Sequence, residues 1–389
     1  MVKIIKIIVL NLFLLNNIYA NSKLILEKYS NIIPYDVKVN IKNNESEPEF
    51  LNYIFIKAID APVRVKPTIK SKEIIRFPFN TKLKALEKIE VNKNEWYKVE
   101  IVRIDGKKEI GYISSNFIFL RKFRFDIMNS KVLQLETFLK EESQNKKELI
   151  STNTYIPNPT NENMNRTKDK YGVSADQNTI GLYGEEIIYI PDRSLMSIEY
   201  IDGDYAYVNV FSIPERPLKV HKKVLSRNPV INSNFRKVIV IDLENENQGI
   251  FEKNKTEEWE LISYSLNKTG LESTLGFETP KGAFIVPTVK YEMFYMNQYG
   301  ELAGIAKYAI RFSGGGYIHG TPIDFEENIN RDFFLEEKDG TLGTVEGTRK
   351  CIRNPEAHIK FLFDWITNGK VNRKLNNQNP NENVMVIVF

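Results

Sequence analysis

Apolar and polar positions alternate through the first third of the chain. The runs Tyr53-Ile54-Phe55-Ile56, Lys82-Leu83-Lys84-Ala85-Leu86, Trp96-Tyr97-Lys98-Val99-Glu100-Ile101 and Gly111-Tyr112-Ile113 are short, and turn signals at 92–94 and Asp105-Gly106 separate them. Strands at this spacing predict a small β-barrel over 51–122, with Trp96 as a core or rim aromatic, after a polar leader at 21–50. The segment 123–179 differs. Leu133, Leu135, Phe138 and Leu139 among Glu and Lys predict a helix reaching toward Thr152, and the Asn-, Pro- and Thr-rich stretch from Asn153 to Asn178 reads as a linker. β-type runs return at Ile187–Ile190 and Tyr205–Val210. Met196–Val210 weakly echoes Leu83–Ile101, so a second small barrel is expected over 180–228.

The last segment, 234–389, has a different texture. Val238–Leu243, apolar except for Asp242, is a run of the buried-strand type, and further β runs follow at Gly282–Pro287 and Tyr308–Phe312. Asn354-Pro355-Glu356 predicts a helix start, with Asn as cap and Pro at the first helical position. Ile359, Leu362, Phe363 and Ile366 follow at i, i+3, i+4 and i+7, Gly369 ends the helix, and Val384–Phe389 closes as a strand. The expected class is mainly β: one or two small barrels, then a mixed, mostly β domain.

Composition narrows the function. The 389 residues carry Lys+Arg 54 against Asp+Glu 50, a net charge of +4 that gives no argument for a nucleic-acid partner. At the N-terminus, Lys3 and Lys6 precede the apolar run Ile7–Leu15, broken only by Asn11, and Asn16–Ala20 ends on a small residue, the order of a secretory signal over 1–20. The run is shorter than the ~20 residues of a membrane span. Cleavage would leave an exported protein of the periplasm or wall with no stable membrane span; the alternative is an uncleaved anchor. The oligomeric state is not legible. One cysteine, Cys351, excludes an internal disulfide, and three scattered histidines beside it argue against a zinc site.

Three pieces of the last segment carry chemistry: Thr279-Pro280-Lys281-Gly282-Ala283-Phe284, Gly314-Gly315-Gly316-Tyr317-Ile318-His319-Gly320-Thr321, and Gly347-Thr348-Arg349-Lys350-Cys351-Ile352-Arg353-Asn354. A thiol, a histidine and glycine-rich backbone suit nucleophilic catalysis, with His319 as base and the cations Arg349, Lys350 and Arg353 placed to favour thiolate. Backbone N–H groups near Cys351, just ahead of the predicted helix, are candidates for an oxyanion hole. A buried structural cysteine is the competing reading. His221, in a basic run, reads as exposed surface, and His358 as a helix-surface residue rather than a second base.

In this order the three pieces resemble the L,D-transpeptidase catalytic domain of the YkuD type. The resemblance covers 234–389 and implies Cys351 as nucleophile and His319 as general base. It implies that Gly320 orients the histidine through its carbonyl, that Thr348 fills the Ser/Thr place, and that Arg353, with Tyr317 and Thr321 nearby, contacts substrate. Two residues depart from the pattern: Arg349 and Lys350 stand where the family usually has His and Gly. An oxyanion role then falls to backbone or Arg349, and a side chain at 350 is expected to narrow the pocket. Upstream, Val63-Arg64-Val65-Lys66-Pro67 with Ser71, Trp96-Tyr97-Lys98-Val99 and Gly111-Tyr112-Ile113 resemble the bacterial Src-homology-3-like domains of wall enzymes.

The resemblance implies attack of Cys351 on the third-position diamino acid of a peptidoglycan stem, a thioester acyl-enzyme, and a 3→3 cross-link. No cofactor is implied. L,D-carboxypeptidase or D-amino-acid exchange would use the same site, and a non-catalytic wall-binding protein is the alternative from another class. Between His319 and Cys351 lies a longer interval than the family usually has. Its excess falls in 324–346, where Asp324, Glu326, Glu327, Asp332, Glu336, Glu337, Asp339 and Glu346 face only Arg331 and Lys338. This insertion is expected to be a rim or lid loop. Its acids either attract the free amine of a stem or simply form a solvated surface.

Overall fold

A computed structural model describes residues 23–153, 178–273, 276–297, 299, 301–371, 373 and 377–389. The expected signal, 1–20, and most of the expected linker lie outside the described residues. Among those described, no helix is long and apolar enough to cross a membrane. The chain divides into a smaller unit, 23–32 with 49–123, and a larger one, 33–48 with 124–389.

The smaller unit is one eight-stranded antiparallel sheet: β1 (Lys23–Lys28), β2 (Asn52–Ile56), β3 (Asp60–Arg64), β4 (Glu73–Pro78), β5 (Lys82–Val91), β6 (Asn94–Val102), β7 (Lys108–Ser114) and β8 (Ile118–Lys122). The alternation along β5 and β6 sends Leu83, Ala85, Val99 and Ile101 into a core shared with Ile54, Val63 and Ile113. Trp96 is buried. The leader contributes structure that its polar composition hid. Lys23–Lys28 pairs with β5. In the larger unit the backbone N–H groups of Asn40 and Lys42 donate to the carbonyls of Leu261 and Ile262 at 3.0 and 2.8 Å.

After 33–48 the larger unit continues with α1 (Phe125–Gln144). A seven-stranded sheet follows: β9 (Leu149–Thr152), β10 (Asn178–Tyr183), β11 (Glu186–Pro191), β12 (Leu195–Asp202), β13 (Tyr205–Val210), β14 (Leu218–His221) and β15 (Leu225–Ser226). The predicted helix thus stops short of 149–152, which pairs with both β12 and β15. His221 is half-buried, and its Nδ1 accepts from Lys223 N at 3.2 Å.

The C-terminal domain holds β16 (Lys237–Asp242), β17 (Asn247–Lys253), β18 (Trp259–Leu266), β19 (Gly282–Ile285), β20 (Val289–Met296), β21 (Leu302–Ser313), β22 (Gly316–Gly320), β23 (Ile323–Asp324), α2 (Arg331–Gly340), β24 (Ile352–Asn354), α3 (Glu356–Thr367) and β25 (Val384–Val388). One sheet runs β18-β17-β16-β25-β19 and the other β20-β21-β22-β24, with β23 on β21. Ile239, Phe284 and Val386 of the first sheet share a core with Ile310, Ile318 and Ile352 of the second and with α3. Ile359, Leu362, Phe363 and Ile366 are buried as their spacing predicts, each contributing ~2 kcal/mol. The start of α3 differs from expectation. Its cap is Pro355, while Asn354 ends β24 and accepts a hydrogen bond from Gln248 Nε2 at 2.6 Å.

The insertion is helical, not a loop: a 3-10 turn over Phe325–Asn330 leads into α2. Its dense charge masked Phe333, Phe334 and Leu335. His358 also departs from expectation, being fully buried rather than on the helix surface, with Nδ1 3.4 Å from Ser263 Oγ. Burial holds its pKa down at about 3. Because the unfolded histidine binds a proton near pH 6.5, the stabilisation this site gives is complete above that pH. It is lost as pH falls toward 3, at about 1.4 kcal/mol per pH unit. His358→Leu should therefore flatten the pH dependence of the urea midpoint between pH 6 and 4 by about one proton's slope. An unchanged slope would mean that His358 does not stay neutral in the fold.

Candidate active site

The site is built on the parallel pair β22–β24, in register Ile318↔Ile352, His319↔Arg353 and Gly320↔Asn354. Ile318 and Ile352 both enter the core, so strand alternation turns their neighbours to the opposite face. Cys351 stands one residue before β24, one register step before Ile352, and His319 one step after Ile318. Both line a cleft of about 790 Å³, together with Thr348, Arg349, Arg353 and Tyr295.

His319 is 5% exposed, and its Nδ1 lies 2.7 Å from Gly320 O. A carbonyl only accepts, so Nδ1 carries the proton and the neutral ring presents Nε2 as a base. Burial, aided by the Arg353 charge and opposed by the Gly320 bond, holds the imidazole pKa down at about 4. Cys351 is half-buried, with Sγ 3.8 Å from Gly315 O. Burial raises the thiol to about 11, while the Tyr317 N–H and the Lys350 charge pull the other way. At neutral pH the resting pair is therefore an uncharged thiol and an uncharged imidazole.

Hydrogen bonds and close packing hold the thiol's loop. Thr279 Oγ1 accepts from Gly270 N at 2.7 Å and donates to Lys350 O at 3.0 Å. Thr348 Oγ1 donates to Cys351 O, and Thr348 N bonds Thr269 O at 2.9 Å. Two glycines missed in the sequence allow this packing. A Cβ on Gly270 would lie 2.6 Å from Lys350 Cα, and one on Gly276 2.9 Å from Arg349 Cα. Neither belongs to a recognisable motif, and only the fold brings them beside 349–350. The helix that follows starts only at Glu356, beyond β24, so Cys351 is not at a helix N-terminus. The N–H aimed at its sulfur comes from Tyr317 on the neighbouring strand.

The other predicted site residues divide. Arg349 is exposed on the cleft. Lys350 is 3% exposed with φ +79°, and it is not among the residues lining the cleft, so it does not narrow the pocket. This left-handed backbone accounts for a glycine preference at the position. Arg353 lines the cleft, yet its Nη2 is engaged by Lys338 O at 2.7 Å and Thr341 Oγ1 at 2.6 Å, capping the C-terminal end of α2. Thr321 is buried, bonded to Asp339, and Tyr317 lies under Lys290 Nζ at 5.4 Å; neither lines the cleft.

The insertion forms one wall of the cleft through Asp324, Phe325 and Glu326. Three of its acids are engaged: Asp324 accepts from Tyr295 Oη, Glu327 pairs with Lys338, and Asp339 accepts from Thr321.

Comparison with known proteins gives a family and three structures. No curated protein matches the chain. A fused zinc-dependent amidase/peptidase/peptidoglycan-binding domain-containing protein of Clostridium acetobutylicum aligns at 16% identity and TM-score 0.23, over 41% of this chain and 56% of that one. This chain thus spans little more than half the length of that protein. The L,D-transpeptidase LdtMt1 in complex with imipenem aligns at 12% identity and TM-score 0.27, over 55% and 78%. L,D-transpeptidase 1 of Mycobacterium tuberculosis aligns at 13% and 0.25, over 54% and 82%. Residues 236–382, which carry the thiol, the histidine and the loops that hold them, match the family model of YkuD, the L,D-transpeptidase catalytic domain.

Proposed function

We propose that the chain is an exported peptidoglycan L,D-transpeptidase. The observation that carries the reading is the juxtaposition in one cleft of Cys351 and a histidine whose Nδ1 is pinned by Gly320 O, inside the matched segment. His319 Nε2 takes the thiol proton as sulfur attacks the carbonyl of the third-position diamino acid. The bond to the terminal D-amino acid breaks, the departing amine takes the proton back, and a thioester on Cys351 remains. The amine of a second stem then attacks the thioester, restores the thiol and leaves a 3→3 cross-link. In this reading backbone N–H groups near Cys351, with Arg349 at the cleft mouth, face the oxyanion, and Arg353 faces the substrate. The eight-stranded N-terminal sheet is taken as a Src-homology-3-like module that holds the enzyme on the wall.

The test is incubation of the full chain with purified tetrapeptide muropeptides, followed by mass analysis. Release of the terminal D-amino acid with an acyl adduct on Cys351 is expected. Cross-linked dimers identify transpeptidation, and free tripeptides identify carboxypeptidation. No release from any of several wall types would overturn the reading in favour of a non-catalytic wall protein.

A further inference from the structure

The interval between His319 and Cys351 contains α2, and the end of that helix touches both strands of the site. β22 and β24 pair over Ile318↔Ile352, His319↔Arg353 and Gly320↔Asn354, so His319 lies opposite Arg353 at the middle of the ladder. Parallel pairing is slightly less stable per residue than antiparallel, and a ladder this short holds the two strands weakly by itself.

The last turn of α2 with its cap, 338–341, takes hold of each strand beside its reactive residue. On the β22 side, Thr321 Oγ1 donates to Asp339, and Lys338 Nζ donates to Pro322 O at 3.1 Å. Thr321 directly follows Gly320, whose carbonyl receives His319 Nδ1. On the β24 side, Arg353 Nη2 donates to Lys338 O at 2.7 Å and to Thr341 Oγ1 at 2.6 Å. Thr341 Oγ1 in turn donates to Lys338 O at 2.8 Å and closes the turn. Arg353 stands two residues after Cys351.

These grips are strong for their size. Each has one charged partner, a carboxylate or a guanidinium, and such bonds are about twice as strong as neutral ones. Thr321 is 3% exposed. The turn is itself held in place. Lys338 pairs with Glu327 at the start of the insertion. Past the turn, Gly343 N donates to Asn267 O at 2.8 Å, and the next residue, Lys268, exchanges both backbone hydrogen bonds with Arg353, at 2.9 and 3.0 Å.

We infer that the last turn of α2 is a clamp that sets the distance of the His319 base from the Cys351 sulfur, with Thr321 and Thr341 as positioning residues on its two sides. Neither threonine lines the cleft, so each acts through the residue it holds. The insertion thus serves the chemistry by carrying the chain back across both strands, as well as by walling the cleft. The inference rests on the roles proposed above for Cys351 and His319.

Release of the terminal D-amino acid from tetrapeptide muropeptides, measured at steady state on the full chain, tests it. Thr321→Val and Thr341→Val each remove one grip at nearly constant volume. Each should lower kcat about 30-fold or more, toward the ~100-fold cost of a 1 Å misplacement, with KM within about twofold. Thr321→Ser and Thr341→Ser keep the hydroxyl and should stay within about threefold of the parent. The double valine variant should lose less than the product of the single losses, because both grips fix one distance. A raised KM with kcat kept, multiplicative losses, or serine variants as impaired as the valine ones would overturn the inference. A second readout needs no substrate. Exchange of the His319 Nδ1 proton with solvent, followed by NMR on protein with isotope-labelled histidine, should quicken at least about threefold in either valine variant. Thr341 is the sharper case, since its hydroxyl bonds only Arg353 and α2. An unchanged exchange rate would overturn the clamp. A parent that releases no D-amino acid but shows this coupling would overturn the proposed function and leave the clamp standing. If one valine variant does not fold, the other decides.

Discussion

Replacing Cys351 by alanine should abolish acyl transfer, and replacing His319 by glutamine should lower kcat/KM by about three to four powers of ten. The pH profile separates this site from one with a preformed ion pair. With the imidazole near 4 and the thiol near 11, both groups rest uncharged across the physiological range, and the proton moves only as sulfur attacks. Activity should be lost as pH falls through about 4, where protonation removes the base, and should hold a broad plateau above it. Alkylation should instead climb about tenfold per pH unit from pH 7 to 10. An alkylation plateau below pH 7 would show a thiolate–imidazolium pair, and the neutral resting state would be wrong.

The second large effect is expected at Gly270, far from any motif. A Cβ there meets only backbone: Lys350 Cα and Phe277 O at 2.6 Å, and Lys350 N at 2.7 Å. None of these is a side chain that can swing away, so Gly270→Ala must push the 348–351 loop outward. A displacement near 1 Å at a reacting atom costs about 100-fold in rate. The overpacking should also cost ~1–3 kcal/mol of stability. Steady-state kinetics and the urea midpoint measure both. Activity within twofold of the parent would show that the loop is not braced against Gly270.

What was legible in the sequence follows from the range of each interaction. The spacing of Ile359, Leu362, Phe363 and Ile366 located α3, because helix amphipathicity is a local property. The strands around Trp96 and Val238 were read for the same reason. Cys351, His319, Gly320 and Thr279 stood out because their chemistry sits in short contiguous motifs. Gly270 and the 38–42 segment did not, since each acts on residues from about 80 to more than 200 positions away. Asn354 misled: the N-cap signal was present, but a buried partner, Gln248, claimed its side chain. Charge misled in the insertion, where ion pairs such as Glu327–Lys338 sustain a helix that composition alone reads as loop.

The position of β25 bears on how the catalytic domain is assembled. It lies between β16 and β19, parallel to the first and antiparallel to the second, in register Val238↔Met385 and Phe284↔Val386. Until 384–388 arrives, β16 and β19 each present an open edge, and the sheet core lacks Val384, Val386 and Val388. Closing it requires a contact spanning more than 140 positions, the kind of long loop closure that slows folding. The domain is thus committed late, and a chain halted before residue 384 would carry two unpaired strand edges able to recruit one another in neighbouring copies.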